Sequence, residues 1–70
     1  MTAFESAIRE KIAEEQHDGD AYHELARRAA DEGHFDYAAI LRDIAREENT
    51  HRIHLQGILA ELETYEAHTG

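Results

Sequence analysis

The sequence predicts an all-α protein, an antiparallel helical hairpin that dimerises into a four-helix bundle. Three observations carry this. Proline is absent, and Ala, Glu, Arg, Leu and Ile dominate, which is helix-forming composition. Apolar residues recur at alternating steps of four and three along two long stretches, separated by one glycine-containing turn. The chain has only 70 residues, and a chain of that size buries only about 60% of the surface its unfolded form exposes. Its core is therefore marginal and needs a staple. The absence of cysteine removes disulfides, thiolate metal sites and cysteine nucleophiles together. What remains is a metal held by histidine and carboxylate, or a partner subunit.

Helix 1 is expected at about residues 3–31. Thr2-Ala3-Phe4-Glu5 is a capping-box start, Thr followed three residues later by Glu. The helix's seam runs through Ile8, Ile12, Glu15, Gly19, Tyr22, Ala26 and Ala29. Asp18-Gly19-Asp20 reads locally like a turn, and a helical glycine costs about 1 kcal/mol relative to alanine. The seam nevertheless stays in phase across Gly19, which favours one continuous helix, with a kink or gap there as the alternative. Asp31-Glu32-Gly33-His34 is the stop, with Gly33 suited to a left-handed cap and the turn at residues 32–34. Helix 2 is expected at about residues 35–67. Its seam holds register through Tyr37, Leu41, Ile44, Glu48, His51, Leu55, Ile58, Leu62 and Tyr65. Phe4, Leu25, Ile40 and Leu59 widen the two stripes, and Tyr37 and Tyr65 read as caps at the ends of the core. Each stripe is wider than one partner helix covers, so residues 1–70 form a single domain whose folding and homodimerisation are one event.

Sixteen acidic residues against seven basic ones give a net charge of −9. Phosphates are repelled and no basic stripe exists, which argues against nucleic acid as a partner. No apolar run approaches the roughly 18 residues of a membrane span, and the N-terminus lacks a signal-peptide pattern. The expected compartment is the cytoplasm.

Three seam positions are ionisable: Glu15, Glu48 and His51. Burying a lone carboxylate is costly unless it is paired or bound to metal. Glu48 and His51 are three residues apart and share a helix face. Glu14 falls off the seam, and Glu47 does not lie three before His51. In a two-fold dimer the centre holds two copies each of Glu15, Glu48 and His51, enough for two divalent cations. Oxygen-rich ligation with one imidazole per metal suits iron or manganese, with zinc as a common substitute. Asp18, one turn after Glu15, reads either as a further ligand or as a solvated acid. His54 reads as an entry-site ligand or a surface histidine. His17, His23, His34 and His68 read as solvent-facing.

Glu15, then Tyr22, Ala26, Ala29, Glu32-Gly33, Ile44-Ala45 and Glu48-Asn49-Thr50-His51 follow one another in an order and spacing that resemble the rubrerythrin branch of the ferritin-like superfamily. A lone Glu-x-x-His is a weak signal; the whole series, spanning over half the chain, is specific. Rubrerythrins carry two such hairpins and a cysteine-bearing rubredoxin domain. This sequence has one hairpin and no cysteine, so the resemblance implies a half-bundle completed by its own copy, with no built-in electron supply. Encapsulated ferritins are a second single-hairpin relative, with the metal site between two chains and a protein shell as partner. Residues 66–70 are short and polar for the shell-targeting extension those proteins carry.

The resemblance implies a ferroxidase-type di-iron carboxylate protein that oxidises Fe(II) with oxygen or peroxide. Two iron ions per dimer would be held by Glu15, Glu48 and His51, with Asp18 matching an extra carboxylate of some rubrerythrins. It also implies that the Tyr22 hydroxyl hydrogen-bonds a ligand carboxylate across the bundle. Two other readings remain: peroxide or oxygen detoxification with an external reductant, and a non-catalytic interaction module stapled by metal. Against the last stands the cost of burying three ionisable groups per chain where leucines would make a firmer dimer.

Overall fold

The structure, a computed structural model, describes the backbone of residues 2–69 and the side chains of residues 2–65. Two helices make up the described chain: α1 (Ala3–Asp31) and α2 (Phe35–Thr69). Thr2 caps α1 in an extended conformation, its Oγ1 accepting the Glu5 N–H at 3.1 Å. The Thr2 hydroxyl donates in turn to Glu5 Oε1 at 3.3 Å, so the Thr–Glu pair of the expected cap is in contact. The helix then passes through Gly19 without a break.

It ends in a Schellman motif. The His34 N–H reaches the Ala29 carbonyl at 2.8 Å and the Gly33 N–H reaches Ala30 at 3.0 Å. This geometry needs the left-handed φ of 84° that Gly33 supplies. The His34 carbonyl at once accepts the Ala38 N–H at 2.9 Å, so α2 starts without a linker. It runs two residues past its expected end.

The two helices return alongside each other as a hairpin with extents of 56 × 15 × 11 Å. Near the ends remote from the turn, Arg9 on α1 bonds Glu63 on α2 at 2.6 Å. The contact line is built from small residues: Ala26, Ala38 and Ala45 are the buried apolar side chains. A Cβ added at Gly19 would stand 3.7 Å from Glu48 Cβ and 3.9 Å from the Ala45 carbonyl oxygen, so the backbones approach closely there.

The larger seam residues keep more of their surface. Leu41, Ile44, Leu55 and Leu62 are half-buried, while Phe4, Leu25, Tyr37, Ile40, Ile58 and Tyr65 stay exposed. Among the described residues, no large side chain is fully buried. Tyr37 and Tyr65, expected as core caps, are open within one hairpin. Among the described residues, no helix is long and apolar enough to cross a membrane.

Candidate metal centre

Beside the Gly19–Ala45 approach, α1 and α2 bring Glu15, Glu48 and His51 together. Each offers one ligand atom, and these atoms all lie within 4.8 Å of one another. The spacing of three along α2 stacks Glu48 and His51 on one face. Gly19, one turn after Glu15, lies within contact range of the same face, with Glu48 Cβ 3.7 Å from where its own Cβ would be.

The three differ in exposure. Glu15 keeps only 9% of its side-chain surface, whereas His51 keeps 57%. His51 Nδ1 stands 3.4 Å from Glu15 Oε2. That oxygen is buried and has no hydrogen-bond partner. A buried carboxylate oxygen with nothing to bond is costly, and a cation bound there would satisfy it.

The charge state fits the same picture. Contact with Glu48 holds the Glu15 carboxyl below its ordinary range. Burial opposes this, while His51 and Lys11 reinforce it. The Glu48 carboxyl moves the other way, raised first by Glu15, then by burial and by the negative charge of Asp18. The two carboxyls thus shift apart, Glu15 towards the anion and Glu48 towards the neutral acid. A divalent ion bound between them would favour the ionised form of both. Two carboxylates and an imidazole form a donor set for iron, manganese or zinc. They fill only part of a six-coordinate sphere, leaving room for water, substrate or groups from a second copy.

Other expected residues lie apart. Asp18 is outside the group, its carboxylate 3.7 Å from His17 Nδ1, though its charge reaches Glu48. Tyr22 is half-buried and takes part in no hydrogen bond among the described residues. His54 is exposed and outside the group. His17 and His23 are exposed as expected, and His34 lies against the Tyr37 ring at 5.5 Å. The side chain of His68 and residues 66–70 as a targeting segment lie outside the described side chains.

Sequence reasoning missed two neighbours of Glu15. One is Lys11, whose Nζ lies 3.9 Å from Glu15 Oε1; its spacing of four before Glu15 was the available signal. The other is an open groove of about 190 Å³ bordered by Glu15, Asp20, His23, Arg46 and Arg52, with acids and arginines mixed along it.

Comparison with protein-family models, with curated proteins and with solved structures yields no match to this chain.

Proposed function

We propose that this chain is half of a di-iron carboxylate bundle. Two copies would pair through the apolar stripe beside the metal centre and oxidise Fe(II) in a ferroxidase-type reaction. The observation that carries the reading is the buried Glu15 oxygen without a hydrogen-bond partner, grouped with Glu48 and His51 within 4.8 Å. Such an arrangement costs stability without a cation and gains from one.

The exposed surface supports pairing. A compact 8.0 kDa monomer exposes roughly 4,500 Å² by the size scaling of folded proteins. This chain exposes 5155 Å². The excess is close to the roughly 800 Å² that each partner buries in a standard interface. Tyr37, Ile44, His51, Ile58 and Tyr65 recur every seven residues, so one stripe of α2 carries both the exposed apolar residues and a ligand. A second copy covering that stripe would bury His51 and bring two sets of Glu15, Glu48 and His51 together. The likeness of the residue series to rubrerythrins and encapsulated ferritins supports the same arrangement, with a protein shell as a further partner.

In this reading, Fe(II) is the substrate. Glu15 and Glu48 bind it as anions and tolerate the change of charge on oxidation, and His51 supplies the neutral nitrogen. Two Fe(II) give two electrons to dioxygen, which takes two protons from solvent and leaves as hydrogen peroxide, with two Fe(III) as product. Peroxide as oxidant accepts the same two electrons and two protons to give two waters. Leu55 and Ile58, one and two turns along from His51, limit water at the site.

The test is to add Fe(II) in air to the metal-free protein and follow near-ultraviolet absorbance. Glu48→Ala is expected to fall to the rate of buffer; a wild-type rate no faster than this variant sinks the proposal. Native mass spectrometry is expected to give a dimer with one metal per chain, and a metal-free monomer would refute it. Metal-dependent stability without faster oxidation would instead mark a stapled interaction module.

A further inference from the structure

Lys11 is the one lysine in the chain. It stands one turn before Glu15, with Nζ 3.2 Å from Glu14 Oε2 and 3.9 Å from Glu15 Oε1. Among the described residues, no other lysine or arginine lies within ion-pair distance of Glu15. Glu14, Glu15 and Asp18 all act on this ammonium and keep it charged. The buried carboxylate of the metal centre therefore carries a resident positive charge on a flexible stem.

We propose that Lys11 is a tethered counter-cation that sets the affinity and charge selectivity of the Glu15–Glu48–His51 site. This role rests on the metal-binding reading above. With the site empty, the ammonium stands 3.9 Å from the Glu15 carboxylate and partly balances its charge. An arriving cation meets Lys11 beside the same carboxylate. The four-carbon stem lets the ammonium withdraw onto Glu14 and Asp18, but its charge still repels the occupant. The repulsion grows with the charge of the ion. A trivalent ion suffers half as much again as a divalent one on a logarithmic scale. Lys11 thus loosens the site and disfavours the oxidised product more than the reduced substrate, which aids release after turnover.

The test titrates Zn(II) and Tb(III) separately into the full metal-free chain as wild type, Lys11→Gln, Lys11→Arg and Glu48→Ala, near neutral pH at low salt. Lys11→Gln is expected to bind Zn(II) about three- to tenfold more tightly than wild type, the scale of one screened charge a few ångströms away. The Tb(III) gain should be larger, by about half on the logarithmic scale. Both gains should shrink when salt shortens the Debye length to about 4 Å, and Lys11→Arg should match wild type. Equal or weaker Zn(II) binding by Lys11→Gln overturns the proposal, as does an equal gain in Lys11→Arg, which would mean packing rather than charge. Loss of binding in Glu48→Ala with Lys11→Gln unchanged removes the Lys11 role alone. Equal binding by wild type and Glu48→Ala removes the metal centre and the Lys11 role together. Circular dichroism checks that each variant folds, and Lys11→Ala replaces Lys11→Gln if it does not.

Discussion

Replacing Gly19 by alanine is expected to stabilise the protein, although the position faces α2 across the hairpin. The new Cβ would stand 3.7 Å from Glu48 Cβ and 3.9 Å from the Ala45 carbonyl oxygen, ordinary van der Waals distances that displace nothing. Removing a glycine from a helix interior gains about 1 kcal/mol. A half-buried methyl adds about 0.5 kcal/mol. Together they give about 1–1.5 kcal/mol per chain, or a rise in Tm of about 5–10 °C for a domain of this size. The assay is thermal unfolding at 222 nm with metal removed and protein concentration fixed. Gly33→Ala is the control. Its Cβ would meet nothing within 4 Å, but the φ of 84° there opposes any side chain. A left-handed residue costs about 1–2 kcal/mol, so this variant should melt lower. Backbone conformation, rather than room, then decides the sign at both glycines. An unchanged or lowered Tm for Gly19→Ala would refute the reasoning and mean that the helices meet more closely than these distances allow.

Other outcomes follow from the exposed stripe and the carboxyl pair. Ile58 is 42% exposed in one hairpin and lies seven residues from His51, so Ile58→Glu is expected to abolish the dimer in light scattering. Ile53→Glu, exposed but off the stripe, should leave it intact; equal loss in both would remove the assigned interface. Glu15, with its lowered pKa, supports the fold above the ordinary carboxylate range and loses that support as pH falls through its folded value. Glu48, with its raised pKa, favours the fold while protonated and turns against it as pH rises through its folded value. Metal-free Glu48→Gln should therefore lose less stability than wild type as pH rises above the ordinary carboxylate range. Parallel melting curves would show that Glu48 is not perturbed.

Much of the backbone was legible because its signals are local. The capping box at Thr2, the glycine stop at Gly33 and the unbroken phase across Gly19 each involve neighbours within a turn or two. Glu15, Glu48 and His51 stood out because they interrupt apolar positions, and the two helices do bring them together. The contact line was harder to read. Hydrophobic periodicity weights large side chains, so it singled out Ile44 and Ile58, while the backbones meet at Ala38 and Ala45, whose smallness permits the approach. Asp18 shares a turn with Glu15, but helical spacing cannot say whether a short side chain reaches across to α2. The Tyr22 bond to a ligand carboxylate, expected from the resemblance rather than from local pattern, is not made within one hairpin.

The three-residue turn has a consequence for how the chain tolerates changes of length. Because α2 starts at once after the Schellman motif, the turn alone sets which residues of α2 face Glu15. One inserted residue would rotate α2 by about 100° and slide it by about 1.5 Å. That would carry Glu48 and His51 away from their partner and Ala38 and Ala45 off the contact line. Adding about seven residues to each helix at once nearly restores the facing. The hairpin can therefore grow or shrink by paired heptads, whereas a single-residue insertion at Gly33 dismantles the ligand set without altering any of its members.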